Sequence, residues 1–146
     1  MERFKESIES YDKAIQIDAE KPRIWNNRGA VLGKMGRYDE ALICIDRSLA
    51  LQPENAEAWD NRGAALSMLG RYDEALEDFN RAIEIDPEDC EALCNKGEAL
   101  RQLGRHAQAL ECFEAAIRLD PGHQRARNGR LLALREAREN EELKAS

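Results

Sequence analysis

Apolar positions along this chain fall at three- and four-residue steps, in paired runs. From Trp25 the first run passes through Gly29 and Leu32, which share one face of an α-helix. Gly36 ends it, as a residue in the left-handed region would. A second run follows through Tyr38, Ala41, Leu42, Ile45 and Leu49, and Pro53 stands just past its end, where a helix cannot continue. The pattern then returns. Trp25 recurs as Trp59, 34 residues on; Gly29, Gly63 and Gly97 share that spacing, as do Gly36, Gly70 and Gly104. Leu32, Leu66 and Leu100 follow it, as do Ala41, Ala75 and Ala109, and Pro53, Pro87 and Pro121.

Each unit is predicted to be a helix–turn–helix that cannot bury its apolar face alone; stacking the units buries it. Glycine in a helix interior costs ~1 kcal/mol against alanine, so a mid-helix glycine that repeats predicts close approach of a second helix. The periods set full repeats at 22–55, 56–89 and 90–123. Phe4, Ser7, Tyr11 and Ala14 are in phase with Tyr38, Ala41, Ile45 and Ser48, so 2–17 is read as a lone second helix. Residues 124–141 are in phase with a first helix, with Arg127 where Trp25 stands; this charged segment is read as a polar capping helix. The expectation is one domain over 1–146 with eight helices.

These residues resemble the tetratricopeptide repeat, whose pattern is W-x2-L-G-x2-Y, then A-x3-F, then P. The middle unit carries it as Trp59, Gly63, Ala75, Phe79 and Pro87; the first has Trp25, Gly29, Ala41, Ile45 and Pro53; the third has Leu93 for the tryptophan, then Gly97, Ala109, Phe113 and Pro121. Arg28, Arg62 and Lys96 replace the family leucine, and Leu32, Leu66 and Leu100 replace the first-helix tyrosine. The resemblance implies an all-α fold: a right-handed superhelical solenoid of antiparallel helix pairs. It also implies a protein–protein interaction scaffold whose first helices line a concave, peptide-binding groove.

If Trp25, Gly29 and Leu32 face the partner helix, a turn of ~100° per residue sends Arg23, Asn26, Ala30 and Lys34 into that groove, with Asn27 at its flank. The second unit offers Glu57, Asp60, Asn61, Ala64 and Met68; the third offers Glu91, Cys94, Asn95, Glu98 and Gln102. Asn27, Asn61 and Asn95 fall at one phase. A carboxamide both donates and accepts, so such a row pairs with the backbone of an extended peptide, like the asparagine ladder of some tetratricopeptide superhelices. The other open reading is that each amide bonds within its own helix or to the next repeat. The carboxylate clamp of chaperone-binding relatives needs cations where Asn26, Glu91 and Asn95 stand, which argues against binding the acidic end of a heat-shock chaperone. The groove's centre, with Glu57, Asp60, Glu91 and Glu98, is expected to be negative and to suit basic side chains.

Composition narrows the class. Of 146 residues, 42% are hydrophobic, 35% charged and 5% aromatic, a balance of thin amphipathic helices with much surface. A net charge of −7 argues against a nucleic-acid partner, which needs clustered cations. No apolar run reaches the ~20 residues of a membrane span, and the first residues lack the form of a signal peptide. A cytoplasmic chain with reduced thiols at Cys44, Cys90, Cys94 and Cys112 is expected.

No Ser–His–Asp set, phosphate-cradling loop or H-E-x-x-H stands in the sequence, so no enzyme activity is expected, and no cofactor. Cys90 and Cys94 share a helical face near His123 in sequence, yet their spacing suits packing better than metal. His106, in the phase of Tyr38 and Tyr72, reads as a packing substitution. The recurring Arg28, Arg62, Lys96 and Arg130 read as stems packed between helices, their heads paired with acids such as Asp39/Glu40 and Asp73/Glu74. The lone N-terminal helix, without its partner, leaves Phe4, Ile8, Tyr11 and Ile15 as a face that a second copy could cover. The leading functional expectation is a scaffold for a partner polypeptide. The alternatives are an assembly module that self-associates through helical ends, and a regulatory fragment of a larger protein.

Overall fold

The computed structural model describes residues 2–146. They form eight helices: α1 (Glu2–Ile17), α2 (Pro22–Lys34), α3 (Tyr38–Leu51), α4 (Ala56–Met68), α5 (Tyr72–Ile85), α6 (Cys90–Gln102), α7 (His106–Leu119) and α8 (Gln124–Ala145). No strand occurs among the described residues, and no helix there is long and apolar enough to cross a membrane. The architecture is the all-α repeat solenoid that the periods predict.

Local chemistry ends each helix where the periods break. Gly36, Gly70 and Gly104 have φ of 76°, 76° and 72°, a region open to glycine and costly to side chains. There the chain reverses: the amide of Arg37 donates back to the Leu32 carbonyl and that of Arg71 to the Leu66 carbonyl, the closing bonds of a glycine C-cap. At the start of α4 the Asn55 side chain accepts from the Ala58 amide, and at α6 the Asp89 carboxylate accepts from the Glu91 and Ala92 amides, which satisfies amides the helix leaves free. The two tryptophans hold the loops between units: Trp25 donates to the Ala19 carbonyl and Trp59 to the Pro53 carbonyl, each at 2.8 Å.

The core is a line of contacts between the first and second helix of each pair. A Cβ placed on Gly63 would lie 2.6 Å from Phe79 Cε1; on Gly97, 2.8 Å from Phe113 Cε1; and on Gly29, 2.6 Å from Ile45 Cγ1. Phe79, Phe113 and Ile45 are themselves buried, so they have no room to withdraw. Phe113 also lies against Gly129 of α8, tying the last helix to the stack. Each first helix touches the next, α2 to α4, α4 to α6 and α6 to α8, whereas α3, α5 and α7 have no such mutual contact. The stack therefore bends toward the first helices, which makes theirs the inner face.

The ends differ from expectation in detail. On α1, Ile8 is buried and Phe4, Tyr11 and Ile15 are partly buried, because α2 covers that side. On α8, Ala126, Gly129 and Ala133 pack inward, while Leu131, Leu132, Leu134 and Leu143 stand exposed among the charges, so its outer side is less polar than the sequence suggests.

Two glycines of α2 and α4 give opposite expectations. Gly63→Ala forces a methyl into Phe79 and should destabilise the chain by about 1–2 kcal/mol, overpacking outweighing helix propensity. At Gly33 an added Cβ meets nothing within 4 Å, so Gly33→Ala should stabilise by about 0.5–1 kcal/mol. Urea denaturation of the two variants beside the parent reads both signs.

Candidate functional site

The inner face is where the groove residues were expected, and it divides into a polar, cross-linked part and an open cleft. The polar part comes first. Asn61 donates to Asn26 Oδ1 at 3.1 Å, and Asn26 donates on to Glu57 Oε1 at 3.2 Å. One repeat later Asn95 donates to Asp60, at 3.0 Å to Oδ1, and Arg125 of α8 donates to Asn95 Oδ1 at 2.8 Å. Asn61 and Asn95 thus reach back to the first helix before their own, and Asn26 reaches forward to α4. Asn61 and Asn95 stitch neighbouring repeats together; Asn27 makes no side-chain hydrogen bond among the described residues.

Two residues expected to line the groove do not reach it. Asn26 is 2% exposed and Cys94 1%, because both face the adjoining first helix or the segment leading into it. Cys94 Sγ lies 3.7 Å from His123 Nδ1, and its thiol is pushed up to about 11, first by burial. His123 caps α8, with Nδ1 accepting from the Ala126 amide and Nε2 lying 3.0 Å from Glu91 Oε1. Cys90 turns its thiol toward the Ala116 carbonyl instead, so Cys90, Cys94 and His123 do not converge, and the described residues hold no cluster of three metal-ligating side chains.

The acids of the expected negative centre are hydrogen-bonded within the chain, Glu57 and Asp60 by neutral amides and Glu91 and Glu98 by cations. Each of its acids is engaged: Glu57 by Asn26, Asp60 by Asn95, Glu91 by Arg125 and His123, and Glu98 by Arg101 and Gln102. Hydrogen bonds from Arg101 hold the Glu98 carboxyl below its ordinary value. Two of the repeating cations find other partners than those expected. Arg28 pairs with Asp12, and Arg62 pairs with Asp46 at 2.7 Å and Asp78 at 2.9 Å, while Glu40 and Glu74 are held by Arg37 and Arg71, and Asp73 by Arg105. The acid must come from the second helices that flank the arginine.

The open part is a cleft of ≈ 400 Å³ between α2 and α4. Ala30, Gly33 and Lys34 form one wall and Ala64 and Met68 the other, with Tyr38 at the end and Asn61 toward the polar part. Of the expected residues, Ala30, Lys34, Asn61, Ala64 and Met68 meet here; Glu57, Asp60, Glu91, Asn95 and Glu98 belong to the cross-linked part; Arg23 and Gln102 are exposed. Gly33 and Tyr38 were not foreseen. A signal for Gly33 exists, since Ser67 and Arg101 hold its place in the next units: it is a glycine outside the repeat's pattern.

Three family models, two described as tetratricopeptide repeat (residues 20–88 and 90–123) and one as TPR repeat (1–36), match the chain in tandem. The chain belongs to the tetratricopeptide repeat family. No curated protein matches it. Among solved structures, the first tetratricopeptide domain of Spaghetti (RPAP3), bound to the HSP90 peptide SRMEEVD, is 25% identical over 81% of this chain and 94% of its own, with a TM-score of 0.77. The second such domain of human RPAP3, in complex with the HSP70 peptide SGPTIEEVD, is 29% identical over 77% of this chain and 97% of its own, with a TM-score of 0.72. MamA shares the fold, at 24% identity over 96% of this chain and 76% of its own, with a TM-score of 0.84.

One inner-face group titrates in a measurable range. Burial pushes the Asp60 carboxyl up to about 6, opposed by its hydrogen bond from Asn95. The folded state then holds the proton more tightly than the unfolded chain, so ionisation destabilises it. This contribution is fully present below about pH 4 and is lost as pH rises through about 6. Asp60→Asn should stabilise the tetratricopeptide array by about 1–2 kcal/mol at pH 7, and the gain should shrink toward zero near pH 4. Thermal melts of both proteins across that range check it.

Proposed function

We propose that the chain is a protein-interaction scaffold that holds an extended segment of a partner polypeptide on the inner face of α2, α4 and α6. The observation that carries this reading is the α2–α4 cleft, an apolar opening on a face most of whose other polar groups are already paired. Clefts of this size, apolar with a few polar groups at the rim, are where ligands bind. The peptides held by the two RPAP3 domains support the class of ligand.

Their acidic chain ends are a poor fit here. The clamp positions carry Asn26, which is buried and bonded, and Ala30 on α2; Asn61 on α4; and Glu91 and Asn95 on α6. Glu91 is an acid where the clamp needs a cation, and Asn95 is committed to Asp60 and Arg125. We read the ligand as an internal segment of a protein, and the chain as a binding module without catalysis of its own.

A second reading, assembly of copies through a helical end, draws on the exposed leucines of α8 more than on the α1 face first considered. A single monomeric species in sedimentation at high concentration would remove it.

The groove reading is tested by selecting peptides from a displayed random library on the parent and on Ala30→Arg/Ala64→Arg, which crowds the cleft from both walls. The parent should enrich a family of sequences, and the folded variant should enrich none of them. The same peptides recovered by both would place binding elsewhere.

A further inference from the structure

We propose that the α2–α4 cleft takes one large apolar side chain of the partner, and that a neighbouring Asp or Glu side chain of the same segment is held at the rim by Lys34. This rests on the groove reading above and specifies its ligand.

The apolar half of the proposal comes from Gly33. Glycine inside a helix is unfavourable unless something requires it. Gly29, Gly63 and Gly97 are required by the side chains packed on them. Gly33 lies within α2, carries no positive φ, and would meet nothing if it bore a Cβ. What its missing side chain does is leave the cleft empty. The same place in α4 is Ser67, and in α6 it is Arg101, whose guanidinium lies between Glu98 and Glu136. Only the first unit keeps this position bare. Opposite Gly33 stands Met68, 64% exposed, a large flexible apolar side chain at the rim that can adapt to an incoming one.

The acidic half comes from the remaining charges. Of the inner-face acids, Glu91 and Glu98 pair with arginines and Glu57 and Asp60 are hydrogen-bonded by amides, and none of the four lines the cleft. Lys34, which lines the cleft, makes no ion pair among the described residues, and neither does Arg23. The two lie 11 positions apart, which on a helix is nearly the same angle and ~16 Å along the axis. The one charged residue in the lining of the cleft is a cation, and an exposed cation next to an apolar opening favours a segment that pairs an apolar anchor with a carboxylate.

The test uses synthetic peptides, acetylated at one end and amidated at the other. Each has a central Leu, Phe or Met in a Gly/Ser background, flanked by Glu, by Lys or by Ser. Affinities are read by fluorescence anisotropy. Glu-flanked peptides should bind about fivefold tighter than Ser-flanked ones, an advantage that fades at high salt. Lys34→Glu should reverse the order of Glu- and Lys-flanked peptides. Gly33→Leu, which adds helix propensity and starts a side chain from an open Cβ position into the cleft, should abolish binding of all three sets while leaving the melting temperature equal or higher.

The outcomes separate the two claims. Binding that Gly33→Leu abolishes, but with Lys-flanked peptides preferred or with Lys34→Glu silent, overturns the charge assignment and leaves the groove reading standing. Binding that Gly33→Leu does not touch overturns both. Failure of every peptide to bind also overturns both for a short extended segment. A Ser-flanked peptide with a free C-terminus that outbinds the amidated Glu peptides would assign the carboxylate to a chain end, against this proposal.

Discussion

The contact on which the rest of this molecule depends is the one between a glycine of each first helix and a large side chain of its partner. Phe79 lies on Gly63, Phe113 on Gly97 and Ile45 on Gly29. With no Cβ between them, the two helices approach to a distance that any other residue would prevent. A ring filling that gap buries far more apolar surface than a pair of ordinary side chains could at the same spacing. Because α3, α5 and α7 are held apart while α2, α4, α6 and α8 touch in turn, the stack has one crowded side and one splayed side. The inner face is a consequence of that asymmetry.

That inner face carries two demands that conflict. It has to join successive first helices, and it has to leave groups free for a partner. Polar side chains between packed helices are costly unless paired, and here most are paired with each other: Asn61 with Asn26, Asn95 with Asp60, Arg125 with Asn95 and Glu91. The amides and acids spent in this way are withdrawn from binding. What stays available lies toward α2, where Asn27, Arg23 and Lys34 have no such commitments and the cleft opens. Recognition concentrates there because the stitching ends there.

The fold was legible because its determinants recur. A 34-residue period in Trp, Gly, Ala and Pro leaves little choice of helix bounds, and the left-handed glycines at 36, 70 and 104 stand where the periods break. The site was legible only in outline. Helical phase correctly places Ala30, Lys34, Ala64 and Met68 on one side. It cannot say that Asn26 and Cys94 are covered, since that depends on how closely the next helix lies. Nor can phase choose the partners of Arg62: Asp46 and Asp78 come from the helices on either side of it, while the acids nearest in the repeat pattern, Glu40 and Glu74, are taken by arginines three residues away. The negative centre is weakened for the same reason, because net charge along a face does not reveal that Glu91 and Glu98 already have arginine partners.

The same distinction explains where a binding site can arise in an array of this kind. Positions that repeat are those the stack needs, and a side chain there is answered by its counterpart in the next unit. A position that differs from unit to unit is free of that requirement. Gly33, Ser67 and Arg101 occupy equivalent places, and the sequence from no side chain to a long charged one changes the inner face from an opening to a wall that Arg101 closes with Glu98 and Glu136. None of the three disturbs the contacts of Gly29, Gly63 and Gly97 that set the helix spacing, since each lies one turn further along its helix. Binding chemistry can therefore change at this position while the scaffold stays the same, which is how a stack of near-identical units comes to present one place unlike the others.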